Sequence, residues 1–237
     1  MSARTIQAEL RALADPATAA VLQRFFKTGA GEYGAGDAFL GIKVPVLRAL
    51  AQRQPNVTLR SISALLHSRY HEERLYALLL LIRHYQQADA AGRCTAFDLY
   101  LAHTARINNW DLVDISAPHI VGRHLQDRSR KVLHKMAQSA SLWERRIAIV
   151  ATFHFIRCGD FSDTLRIAAT LLGDEQDLIH KAVGWMLREV GKRNQNTLET
   201  FLQQHYPHLP RTTLRYAIER FAPALRQQYL QGTFPVA

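Results

Sequence analysis

Cysteine is scarce in this chain, with Cys94 and Cys158 the only two among 237 residues. That excludes a small disulfide-stapled scaffold, which needs several bridges to stand in for a core. Both cysteines lie in apolar helical patterns, so they are expected to be buried thiols in a reducing cytoplasm. Long hydrophobic runs are missing as well. The longest, Ala77-Leu78-Leu79-Leu80-Leu81-Ile82, is far below the roughly 20 residues a membrane-spanning helix needs. Met1-Ser2-Ala3-Arg4-Thr5 carries no apolar segment of the secretion-signal type. A cytoplasmic protein without a membrane partner is therefore expected. Strand patterns of alternating apolar residues are almost absent.

Several chemistries lack their residues. No nucleophile elbow, kinase motif or dinucleotide fingerprint occurs. The glycine-rich stretch Gly29-Ala30-Gly31-Glu32-Tyr33-Gly34-Ala35-Gly36 lacks the Lys-Ser or Lys-Thr ending of a phosphate loop, and it reads as a flexible connection. His67 and His71 are four apart across a helix boundary, and His119 and His124 are five apart. No cysteine or carboxylate pattern completes a zinc set around either pair, so neither a metal nor a cofactor is expected.

Lysine is also sparse, and this absence says what the charge is for. Of the 30 basic residues 24 are arginine and six are lysine, against 20 acidic residues, for a net charge of +10. Arginine's planar fork matches phosphate oxygens, so the bias points to nucleic acid. The charge is spread evenly, with no basic tail. Any binding surface must therefore be built by the fold.

Hydrophobic residues make up 48% of the chain, enough for a sizeable core. Helix signals are frequent. Asp15-Pro16 is a cap followed by proline at the first helical position, and Val44-Pro45 opens another helix. Ser141-Leu142-Trp143-Glu144 and Asn196-Thr197-Leu198-Glu199 read as capping boxes. Gly159 and Gly173 fall where helices should stop. The pattern predicts helices over about 3–14, 16–27, 44–54, 58–67, 71–87, 91–106, 109–126, 129–137, 142–158, 161–172, 175–193, 197–205 and 211–230, the last broken near Pro223.

The helices also recur. Arg74, Trp110, Arg146, Lys181 and Arg215 open equivalent segments at steps of 36, 36, 35 and 34 residues, with a shorter helix between each pair. This period predicts an all-α fold, an α-solenoid of HEAT-like repeats forming one domain over 1–237, a curved slab with a basic concave surface. The plain alternative is an irregular helical bundle.

Asn108-Asn109-Trp110-Asp111-Leu112-Val113-Asp114 is the most informative stretch. It places an indole and a carboxylate four residues apart, on one helical face. A flat aromatic wall beside a fixed negative charge suits a cationic, ring-shaped reactant. The plain alternative makes Trp110 core and Asp114 an exposed polar residue, yet Ile115, Ala117, Ile120 and Val121 already supply an apolar face, and Asp114 lies too far inside the helix to cap it. Arg145 and Arg146 follow the Ser141 cap, where a helix N-terminus already favours anions. The alternative is a solvated charged face. Trp185 follows Gly184, whose place in a helix costs about 1 kcal/mol relative to alanine, a cost that a close backbone approach or packing would offset; the plain alternative makes Trp185 a core residue.

Four segments carry a family resemblance: Phe39-Leu40-Gly41-Ile42-Lys43-Val44-Pro45, Trp110-Asp111-Leu112-Val113-Asp114, Leu142-Trp143-Glu144-Arg145-Arg146 and Lys181-Ala182-Val183-Gly184-Trp185-Met186-Leu187-Arg188-Glu189. Together they resemble the AlkD-like DNA alkylation repair family, bacterial HEAT-repeat DNA glycosylases, over nearly the whole chain. The glycine-rich loop is longer than is usual in that family. The resemblance implies excision of cationic alkylated purines, chiefly 3-methyladenine and 7-methylguanine, from duplex DNA by a monomer that leaves the lesion stacked. It also implies that Trp110, Trp185 and Asp114 surround the deoxyribose of the damaged nucleotide while Arg146 holds the backbone. Lys43, Arg145 and Arg188 would add DNA contacts, and Phe25 falls where the family places an aromatic facing the duplex. A second reading keeps the arginine-rich surface but no catalysis: a HEAT-like scaffold binding nucleic acid or protein.

Overall fold

The computed structural model describes residues 1–54 and 57–234. Among these the secondary structure is helical throughout, apart from a single parallel bridge between Ala38 and Tyr70. The chain divides into two compact units, Met1–Ser116 and Ala117–Ala237.

The first unit holds α1 (Ala3–Ala12), α2 (Pro16–Phe25), α3 (Val44–Arg53), α4 (Leu59–Leu66), α5 (His71–Gln87) and α6 (Ala90–Ala102), and it closes within α7 (Trp110–Ala117). Helix α5 is its axis, with α3, α4 and α6 packed around it and α1 on α4. The physical reason is composition. Leu75, Tyr76, Ala77, Leu78, Leu80 and Leu81 leave α5 little polar surface, so most of its circumference is buried. Asp15 caps α2 through the Ala17 N–H at 3.0 Å, as its place before proline predicts. The glycine-rich stretch is a chain of hydrogen-bonded turns, not a loose connection. Gly34 N–H donates to the Lys27 carbonyl at 3.0 Å, and Gly29 N–H to the Glu32 carboxylate at 2.8 Å.

The second unit holds α8 (Lys131–Met136), α9 (Leu142–Ala151), α10 (Phe153–Arg157), α11 (Ser162–Thr170), α12 (Asp177–Gly191), α13 (Gln195–His205), α14 (Arg211–Ala217) and α15 (Pro223–Gln231). Here α12 is the axis, flanked by α9, α13 and α14. Helices α9, α12 and α14 are the successive repeat-opening helices of the 35-residue spacing, and they lie side by side. Gly184 makes the closest of these approaches possible: a Cβ there would sit 2.5 Å from Tyr216 Cβ and 2.7 Å from the Thr213 carbonyl. The close approach expected from a glycine inside this helix is thus real.

Several boundaries differ from expectation for identifiable reasons. The helix predicted over 109–126 runs from Trp110 to His124, but within it Pro118–Gly122 is a π-helical turn, because proline has no N–H for the α ladder. The helix predicted over 142–158 is two, broken at Thr152, whose hydroxyl donates back to the Ile149 carbonyl. Asn194, not Asn196, caps α13, accepting from Thr197 N–H at 3.0 Å. Ser141 caps α9, but Glu144 of its predicted box accepts from the Ser139 hydroxyl at 2.6 Å. Both cysteines are exposed, contrary to expectation. Cys94 lies off the inward face made by Ala96, Phe97 and Tyr100, and Cys158 sits in the turn after α10.

Candidate functional site

In the first unit the site is built on the head of α7. Trp110 is its first residue and is half-buried. The indole stacks on Phe26 at 5.2 Å between ring centroids, with planes 23° apart, and meets Phe25 edge-on at 6.0 Å. Phe26 in turn stacks on Phe39 at 5.2 Å. Trp110 is thus core on one side only. The loop after α2 supplies the wall against which it lies flat. Asp114 follows one turn along α7 and is also half-buried. Its charge reaches the fully buried Tyr100, whose phenol is pushed up first by burial and further by Asp114. Tyr100 is itself hydrogen-bonded to the Ser116 hydroxyl at 3.0 Å.

Phe25 is 61% exposed, unusual for so large an apolar ring, and touches both Phe26 and Trp110. Lys43 is exposed at the head of α3. Its charge helps hold the Asp15 carboxyl below its ordinary range, behind the larger effects of the Thr18 hydroxyl and the Ala17 N–H.

Four residues behind this face were given no part in the site by the sequence. His71, Glu72, Glu73 and Arg74 form the first turn of α5, and all are buried. The Glu72 carboxylate accepts from the N–H groups of Leu40, Gly41 and Ile42 at 2.8, 2.8 and 3.3 Å. The segment leading to Lys43 hangs from this one side chain. Glu73 holds Arg11 at 2.7 Å and Gln7 at 2.9 Å. Arg74 bonds Asp37 at 2.7 Å, and the Asp37 carboxyl is held below its usual range despite burial, by His71 and Arg74. Two acids at a helix start read as dipole complements in sequence. The one signal of burial was the unbroken apolar run that follows.

In the second unit Arg146 is buried on α9, contrary to a solvated charged face, and its guanidinium donates to the Leu178 carbonyl at 2.5 Å. It therefore braces the first turn of α12. Arg145 grips Asp174 with two nitrogens, at 2.5 and 3.3 Å, and donates to the Ser139 and Ala140 carbonyls at 2.9 and 3.0 Å. Releasing Asp174, which is 5% exposed, to reach a phosphate would strand a buried carboxylate. Trp185 is half-buried on α12, tilted against Phe153 at 5.8 Å. Arg188 pairs with the partly exposed Glu219. No grouping of histidine, cysteine and carboxylate side chains among the described residues could hold a metal ion. None of their helices is long and apolar enough to cross a membrane.

An all-α array of recurring helices, with a Trp-x-x-x-Asp pair heading one of them, defines the class. The particular family follows from comparison. Residues 6–221 match the family described as DNA alkylation repair enzyme, and the chain belongs to it. Among solved structures, a predicted DNA alkylation repair enzyme from Enterococcus faecalis shares the fold at a TM-score of 0.69, with 18% identity, covering 89% of this chain and 97% of that one. No curated protein sequence matches the chain.

Proposed function

We propose that this member of the DNA alkylation repair family is an alkylpurine DNA glycosylase, hydrolysing the N-glycosidic bond of cationic purines such as 3-methyladenine and 7-methylguanine in duplex DNA. The observation that carries the reading is the Trp110–Asp114 pair: an indole held flat by Phe26, with a half-buried carboxylate one helical turn away.

Alkylation at N3 or N7 leaves the base positively charged. When the bond from C1′ to the base nitrogen breaks, both its electrons go to the base, which departs neutral, and the positive charge passes to the sugar. Water adds to C1′ and releases its proton to solvent. A carboxylate beside that sugar stabilises the developing charge before any reorganisation is needed. Asp114 takes this role and orients the water. The indole face of Trp110 attracts the cationic sugar and excludes bulk water. Lys43 of the first unit meets the DNA backbone, and Arg188 of the second does so by exchanging Glu219 for a phosphate, while Arg146, buried and bonded to the Leu178 carbonyl, braces α12. Phe25 lies against the duplex. Because these groups address sugar and backbone, the base stays stacked, and selectivity comes from the lability of the charged lesion.

The test is release of free 3-methyladenine and 7-methylguanine from methylated duplex DNA by the wild type and by Asp114→Asn. The expected result is release by the wild type and a loss of roughly 100- to 1,000-fold in the variant, the size seen when one preorganised stabilising group is removed, with duplex affinity retained. A folded, DNA-binding wild type that releases neither base would leave a non-catalytic scaffold.

A further inference from the structure

His71 is buried with a carboxylate on each of its ring nitrogens. Nε2 lies 2.8 Å from Asp111 Oδ2, and Nδ1 lies 3.4 Å from Asp37 Oδ2. Each carboxylate accepts only, and a neutral imidazole has just one N–H. One neutral tautomer would point a lone pair at Asp111 and the other would point one at Asp37. Only the doubly protonated ring satisfies both. The ring also lies against two aromatic faces, Phe39 at 4.6 Å with planes 17° apart and Phe26 at 5.0 Å, an arrangement that favours a cation.

These same contacts hold Trp110. Asp111 is the next residue along, so its bond to His71 ties down the first turn of α7. Phe26, which carries the imidazole on its ring, also carries the indole. We propose that His71, as the imidazolium, is a positioning residue for Trp110, setting the indole through Asp111 on one side and Phe26 on the other. The link to base release rests on the glycosylase reading; the link to Trp110 does not.

The charged groups facing His71 are Asp37 from the loop before α3, Asp111 from α7 and Arg74 from its own helix. Burial alone would push the imidazole down. The charge and hydrogen bond of Asp111, with the hydrogen bond to Asp37, outweigh it and raise the group to about 9. The imidazolium therefore persists through neutral pH and is lost on the alkaline side.

The experiment uses the full chain with Trp143 and Trp185 replaced by phenylalanine, so that Trp110 alone fluoresces. Its emission is followed from about pH 6 to about pH 10.5, with far-UV circular dichroism confirming the fold. A transition near pH 9 is expected, absent in His71→Gln and moved to lower pH in Asp111→Asn, which removes one of the two carboxylates. A flat titration of the folded chain, or a midpoint unmoved in Asp111→Asn, overturns the proposal. In the otherwise wild-type chain, His71→Gln is expected to slow base release by roughly 10- to 100-fold, the scale of a small misplacement of a reacting group, with duplex affinity within about twofold. Release at the wild-type rate by a folded His71→Gln protein overturns the role in catalysis. A wild type that releases no base sinks the glycosylase reading alone, and the emission titration still decides whether His71 sets Trp110.

Discussion

The Glu72 carboxylate accepts the Gly41 N–H at 2.8 Å across 31 residues of sequence, and it does so buried. Gly41 has φ +86°, and a Cβ there would lie 2.1 Å from the Asp15 carbonyl. Glycine is required twice over at this position, by the left-handed backbone and by the packing of α2. Gly41→Ala is therefore expected to destabilise the protein by about 2 kcal/mol or more. Glu72→Gln keeps the shape but turns a charged acceptor into a neutral one whose NH2 would face N–H groups, at a cost of about 1.5–3 kcal/mol. Urea melts of both variants check this. A midpoint equal to wild type for either would show that the 40–42 segment is held by something else.

Gly184 supplies a prediction whose sign runs against helix propensity. In an exposed helix, alanine in place of glycine gains about 1 kcal/mol. At Gly184 the added methyl would enter the van der Waals space of Tyr216 and Thr213. Gly184→Ala is expected to lose about 1–3 kcal/mol by overpacking and to shift Trp185 beside it. Stabilisation of the variant in a thermal melt would mean that α12 and α14 part easily.

How much of this was legible in the sequence differs between local and long-range features. The Asp15 cap, the span of α5 and the break near Pro223 were readable, because caps, apolar period and proline act within a few residues. The π turn after α7 was not, since periodicity carries straight through Pro118. For the site, Trp110 and Asp114 share a helix and could be placed by spacing alone. Their support could not, because Asp37, His71 and Asp111 are brought together from three separate segments. Arg145 shows the converse. Its place after a helix cap suggested phosphate, yet Asp174, 29 residues on, takes its guanidinium. No local pattern marks a partner that distant.

Stability should depend on pH on both sides of neutrality. Folding holds the carboxyls of Asp37 and Asp163 below their ordinary values; Asp163 is kept there, against its burial, by Arg130 and His134. Their contribution is present above the unfolded carboxylate value, about 3.9, and is lost as pH falls through the lower folded value. His71 is raised to about 9. Its contribution is complete below the unfolded value, about 6.5, and is lost as pH rises through about 9. The urea midpoint is expected to be level from about pH 5 to about pH 6.5 and to fall on either side. The alkaline fall between about pH 7 and about pH 9.5 should be shallower in His71→Gln. An identical alkaline limb in that variant would place the titration on other groups.

The lesion's own charge supplies the most discriminating prediction. If Asp114 and the Trp110 indole act on the sugar, nothing in the reading recognises the base, and the leaving group must supply its own lability. A neutral base then departs slowly however well its sugar is held, because the carboxylate stabilises only charge that bond breaking has already begun to generate. Uracil in the same duplex context is expected to be released slower than 3-methyladenine by several orders of magnitude. Trp110→Ala should slow release of both cationic purines by the same factor, roughly 10- to 100-fold for losing one cation–π face and its exclusion of water. Uracil release at a comparable rate, or a Trp110→Ala defect confined to one of the two purines, would mean that the base itself is read, and the site would then have to hold an extruded nucleotide.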